Sequence, residues 1–234
     1  MIFQILLSME SKTFRALVLG GTGEVGRELV KQLITHPAFT RVTVLGRRAF
    51  DEIQSDKLVF KQVDFDKLHE FEEAFTDTEV AYCCLGTTRG KAGKDGFIKV
   101  DRDYVLTSAE ILKKAGCSHF HLVTSHGANK DSMFLYQKIK GEAEEGVAAL
   151  NFDRVSIYRP GLLLCERRER RLLEGVAQTL AKGFDWRNRM SVPVETVAKA
   201  MVTNTLCPPE RPSENNAPLK EIITHDDILR LGID

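Results

Sequence analysis

The stretch RALVLGGTGEVGRELV, residues 15–30, decides the fold. Its first six residues, RALVLG (15–20), form a short apolar run that stops at glycine, the pattern of a buried strand. The segment GEVGRELVKQLITH (23–36) puts Val25, Leu29, Leu33 and Ile34 on one helical face and ends before Pro37. Between strand and helix the glycines fall at Gly20, Gly23 and Gly26. Gly20 suits a tight turn, Gly23 lets a pyrophosphate approach the backbone, and Gly26 lets helix and strand pack closely. The helix start would offer N–H groups and partial positive charge to phosphates. A glycine turn in this setting predicts dinucleotide binding.

The alternation continues outward. RVTVLG (41–46), LVFKQVDF (58–65), VAYCCLG (80–86), HFHLVTS (119–125) and DRVSIYRPG (153–161) read as strands. DKLHEFEEAFTD (66–77), FIKVDRDYVLTSAEILKKAG (97–116) and FLYQKIKGEAEEGVAAL (134–150) read as helices, and TTRGKAGKDG (87–96) as a loop, preferred as a flap over the site to a partner-binding loop. The expected fold is α/β, a Rossmann-type doubly wound parallel sheet in a single domain over 1–234, with a small C-terminal cap from 161–191 and 207–234. A ligand would then sit beyond the C-terminal ends of the strands.

Bulk composition is compatible with this. The 234 residues are 43% hydrophobic and 28% charged, enough for one sizeable core. Lys+Arg and Asp+Glu both number 33, without the basic excess that usually marks a nucleic-acid protein. Five cysteines in no zinc-like spacing suggest reduced thiols in a cytoplasmic or also nuclear setting. The N-terminal MIFQILLSME is far shorter than the roughly 18–20 apolar residues of a membrane span and reads as a packing segment. His119 and His121 alternate without a third ligand, so no metal is expected.

Position assigns further roles. LGRR ends the second strand with Arg47 and Arg48, where NAD-selective sites usually carry an acid. Guanidinium groups can pair with a 2′-phosphate, which favours NADP(H) over NAD(H). Asp64, ending the third strand, could accept from an adenine amine, and Leu85 and Gly86 end the fourth strand near the adenosine. The fifth strand ends in Thr124 and Ser125, and LYQKIKGEAE (135–144) then spaces Tyr136 and Lys140 one helical turn apart. A neighbouring ammonium stabilises a phenolate, so Tyr136 could exchange a proton with a substrate oxygen while the cofactor carries the hydride. Ser125 would bond that same oxygen, and Lys140 the nicotinamide ribose.

These motifs resemble the short-chain dehydrogenase/reductase superfamily of the atypical kind. CCLGTTRGKAG, VDRDYVL, FLYQKIKGE, RPGLLLC and SVPVETVAKAM are similar to the HIV Tat-interactive oxidoreductase family, also described as metastasis-suppressor proteins, from about residue 14 to 205. The resemblance implies bound NADPH and a link to apoptosis, tumour suppression and nuclear import through importin-type receptors. It implies a phosphate loop at Thr22, Gly23, Glu24 and Val25, cofactor contacts at Arg47, Arg48, Leu85, Gly86, Leu163 and Arg171, and catalysis by Tyr136 with Lys140. Thr124 stands where a second serine is expected, so Ser125 is the favoured hydroxyl. The resemblance names no substrate, and an unidentified carbonyl compound is the expected one. The alternative is an NADPH-sensing regulator with little turnover.

Overall fold

The computed structural model describes residues 12–48, 53–165, 191–209 and 217–233. Strand β1 (Phe14–Leu19) leads through the glycine turn into α1 (Glu24–Thr35), followed by β2 (Phe39–Gly46) and β3 (Leu58–Gln62). A 3-10 segment (Phe65–Phe75) precedes β4 (Val80–Cys83). Then come α2 (Arg89–Ile98), a π-helical turn (Lys99–Asp103), α3 (Tyr104–Lys114) and β5 (His119–Val123). Helix α4 (Leu135–Ala149) and β6 (Arg154–Tyr158) follow. Short β7 (Leu162–Leu164) pairs with β8 (Ser191–Pro193), and α5 (Val194–Leu206), β9 (Leu219–Ile223) and α6 (His225–Ile233) close the described chain.

Seven strands form one parallel sheet in the order β3-β2-β1-β4-β5-β6-β9. The inner strands β1, β2, β4, β5 and β6 bury both faces, and the edge strands β3 and β9 are partly exposed. In β1, Ala16 and Val18 join the core beneath α1 and α5, whereas Leu17 and Leu19 join the core beneath the 3-10 segment, α3 and α4. This explains the unbroken apolar run of β1, since helices cover both sides of such a sheet. Each fully buried Leu or Val of these layers contributes about 1.5–3 kcal/mol relative to exposure. The connections leave β1 in one direction and β4 in the other. The crevice between their C-terminal ends is the switch point where doubly wound sheets bind ligands.

The structure refines several expectations. The segment read as an α-helix over 66–77 is a 3-10 segment broken at Lys67 and Phe71. The loop expected over 87–96 is largely helix α2, with a break at Gly93 (φ +70°). The long helix expected over 97–116 is interrupted by the π turn, a local device that periodicity does not register. In the region expected to form a cap, residues 217–233 supply the edge strand β9 and helix α6, which packs on α5. Residues 1–11, 49–52, 166–190, 210–216 and 234, including Arg171 and the rest of that expected cap, lie outside the described residues.

Candidate functional site

The glycine turn is packed backbone against backbone. A Cβ on Gly20 (φ +79°) would lie 2.6 Å from the Cys84 carbonyl oxygen, and one on Gly26 would lie 2.3 Å from the Gly20 oxygen. The Gly23 N–H donates to the Gly20 carbonyl at 2.9 Å, closing the turn. No side chain caps the start of α1, so its first N–H groups face the cleft beside Thr22, Gly23, Glu24 and Val25. The turn meets the two demands of a pyrophosphate cradle, namely no Cβ in the way and unpartnered donors.

A cleft of about 1390 Å³ opens here. Among the described residues its walls come from the β1–α1 turn and Arg48, from Cys84–Thr88 and Lys91 after β4, and from Val123–Ser125 at the end of β5. Asp101 of the π turn, Tyr136 and Lys140 of α4, the Pro160–Leu163 stretch, Cys165 and Val194 complete them. Leu85, Gly86 and Leu163 thus meet in one cavity with Ser125, Tyr136 and Lys140. This is large enough for a dinucleotide-sized ligand.

Two expected contacts lie elsewhere. Arg47 is exposed beside Arg48 but does not line the cleft, and its carbonyl accepts from the Gln62 side-chain amide at 3.3 Å. Asp64 accepts the Asp66 N–H at 2.9 Å and so caps the 3-10 segment. β3 ends at Gln62, and the chain turns away before the Asp64 carboxylate reaches the cleft wall.

Helix α4 presents Tyr136, Lys140 and Glu144 at successive turns. Tyr136 is 45% exposed, and its ring stacks on Phe97 with centroids 5.6 Å apart and planes 18° apart. The Lys140 ammonium lies 2.8 Å from Asp101 Oδ1, with side chains only 7% and 1% exposed. Glu144 is buried and accepts from Thr124 Oγ1 at 2.6 Å and from Arg159 Nε at 3.0 Å. That hydrogen bond holds Arg159 above its ordinary value. Thr124 also donates to the Tyr158 carbonyl at 3.1 Å. The Ser125 hydroxyl is buried, lines the cleft and has no hydrogen-bond partner among the described residues. Of the two hydroxyls ending β5, Thr124 is committed to structure and Ser125 is available to a ligand.

His119 and His121 belong to a buried polar network. His121 bonds the Tyr158 hydroxyl at 3.0 Å and Thr205 Oγ1 at 3.1 Å, and His119 Nε2 bonds Ser156 Oγ at 2.8 Å. Burial, with the His119 charge adding to it, holds His121 well below its ordinary value. Cys83 is fully buried under the cleft, and burial pushes its thiol up to about 12.

The sequence reading missed Asp101, Phe97, Glu144 and Lys91. VDRDY (100–104) carries three charges, and nothing in its spacing says that Asp101 turns inward. Glu144 was detectable, since it extends the four-residue spacing of Tyr136 and Lys140 by one step.

Comparison with known proteins agrees with this geometry. The family described as NAD(P)H-binding matches residues 20–207. Protein HTATIP2 of Rattus norvegicus is 44% identical over 97% of this chain and 91% of its own length. Protein FMP52, mitochondrial, of Candida albicans is 39% identical over 70% of this chain and 73% of its own. Among solved structures, a UDP-glucuronic acid 4-epimerase from Bacillus cereus in complex with NAD superposes with a TM-score of 0.65 at 14% identity, covering 90% of this chain and 76% of that one. A short chain dehydrogenase family protein from Francisella tularensis superposes with a TM-score of 0.63 at 14% identity, covering 92% and 98%. At such identities the structural likeness speaks for the fold alone.

Proposed function

This chain belongs to the NAD(P)H-binding family and, within it, to the HTATIP2 family of atypical short-chain dehydrogenase/reductases, and on that premise we propose that it is an NADP(H)-dependent oxidoreductase acting on a carbonyl or alcohol substrate. The observation that carries the reading is the convergence of the Ser125 hydroxyl, Tyr136 and Lys140 in the cleft that the glycine turn opens. The nicotinamide, when bound, supplies or accepts the hydride. Ser125 offers its hydroxyl to the substrate oxygen, and Tyr136 passes the proton to or from that oxygen. Lys140, one helical turn from Tyr136, orients the ribose. The Gly20–Gly26 turn and the start of α1 hold the pyrophosphate.

NADP(H) is favoured over NAD(H) because Arg48 lines the cleft near the end of β2 and can pair with a 2′-phosphate. The five cysteines, all free, suit a reducing compartment, for which cytoplasm and nucleus are the proposed sites. No helix among the described residues is long and apolar enough to cross a membrane.

Fluorescence titration with NADPH and NADH, followed by nicotinamide absorbance with a panel of aliphatic and aromatic aldehydes and ketones, tests the reading. We expect tighter binding of NADPH and its oxidation by at least one carbonyl class. Arg48→Asp should weaken NADPH binding about tenfold or more and leave NADH nearly unaffected. NADPH binding without turnover on any carbonyl would instead favour the NADPH-sensing regulator, whose partners would include importin-type receptors. Absence of dinucleotide binding would remove both.

A further inference from the structure

We propose that Asp101 is the positioning residue of the site, a buried counter-ion that holds the Lys140 ammonium in place and ties the loop after β4 to the same carboxylate. The inference rests on the reading of Tyr136 and Lys140 as the reacting pair. Asp101 Oδ1 lies 2.8 Å from Lys140 Nζ, while Oδ2 accepts the Thr87 N–H at 2.9 Å. Thr87 lines the cleft, so one carboxylate holds both the lysine and a wall of the ligand site. Gly86 lies over the pair, where a Cβ would stand 3.5 Å from Asp101 Oδ1 and 3.8 Å from Lys140 Nζ.

The π turn accounts for the aim of Asp101. It inserts an extra residue into the helical path and re-directs the side chains within it, a feature that recurs at functional sites. Phe97, four residues earlier, stacks on Tyr136, which lies four residues before Lys140. The segment Phe97–Asp101 therefore meets Tyr136–Lys140 at both ends, ring on ring and charge on charge.

Charge makes the contact functional. An ammonium this buried favours its neutral form unless an anion faces it. The other titratable or charged groups around Lys140 are Cys83 beneath it, Tyr136 and Glu144 on its own helix, and Glu24, Arg48 and Lys91 on the cleft wall. The Cys83 thiol stays neutral, and Glu144 is engaged by Thr124 and Arg159. Asp101 is the carboxylate in ion contact with Lys140 among the described residues.

The test is thermal melting of the full chain without added dinucleotide across roughly pH 6–10, spanning the range where an unpaired buried lysine titrates. Asp101→Asn keeps the shape and an acceptor for the Thr87 N–H but removes the charge. The unfolded variant then holds the Lys140 proton more tightly than the folded one, so its stability rises with pH and its deficit against the parent narrows toward alkaline pH. Lys140→Met strands the Asp101 carboxylate, and its deficit narrows toward acid pH. The double variant Asp101→Asn/Lys140→Met should melt above the sum of the two losses, and it serves as the folded comparison if either single variant does not fold. Deficits independent of pH, or losses that simply add, would overturn the proposal. With NADPH and a carbonyl substrate, Asp101→Asn should lower kcat about tenfold or more with little change in the carbonyl KM. A parent that reduces no carbonyl would sink the enzymatic reading, while the melting comparison still decides the role of Asp101.

Discussion

Thr124 donates a 2.6 Å hydrogen bond to the buried Glu144 carboxylate, whereas the hydroxyl of its neighbour Ser125 lines the cleft without a partner among the described residues. Adjacent residues at the end of a strand point to opposite sides, so one hydroxyl is spent on the fold and the other is left unpartnered at the cleft. Ser125→Ala should therefore lower carbonyl reduction by about 10²-fold and leave the melting temperature unchanged. Thr124→Val should do the reverse, costing about 1–3 kcal/mol by stripping a donor from Glu144 while substrate turnover at a permissive temperature is largely kept. Denaturant titrations beside initial rates separate the two, and a pattern with the roles exchanged would contradict the assignment.

Tyr136→Phe keeps the ring on Phe97 and removes only the phenolic oxygen. Turnover should fall by about 10²–10⁴-fold with the NADPH dissociation constant within roughly a factor of three. Equal loss of binding and turnover would mean that the hydroxyl anchors the dinucleotide and does not transfer a proton.

Gly26→Ala places a methyl group 2.3 Å from the Gly20 carbonyl oxygen, so the turn and α1 must separate. The expected cost is about 1–3 kcal/mol in urea unfolding, together with loss of measurable NADPH binding. Unaltered NADPH affinity in this variant would show that the cradle does not hold the pyrophosphate.

Acid should weaken the fold through His121. Burial holds its folded-state value well below the ordinary one, so the unfolded chain takes up a proton below about pH 6.5 that the folded chain refuses. Stability is therefore full above that pH and is lost as the pH falls through it, by up to about 1.4 kcal/mol per pH unit. Melting temperatures from pH 7.5 to 5, a range chosen to bracket the ordinary histidine value of about 6.5, should drop more steeply for the parent than for His121→Gln. An identical slope in the two proteins would place the acid sensitivity elsewhere.

Local pattern carried much of this protein. The strand β1, the turn at Gly20–Gly26 and helix α1 were legible because a buried strand, a glycine turn and an amphipathic helix each leave a short-range signature. So was the helical spacing of Tyr136 and Lys140, since one turn is four residues in any helix. Tertiary structure decided what those residues face. Phe97 reaches α4 from the end of α2, and Asp101 from the π turn that follows it. Asp64 became a cap because β3 stops two residues earlier, and Leu219–Ile223 became a sheet edge because β6 left its hydrogen bonds open. Periodicity records which side of an element is apolar. It does not record which element arrives on that side, and the partner of Lys140 comes from a segment 39 positions away, as the numbering of the two residues shows.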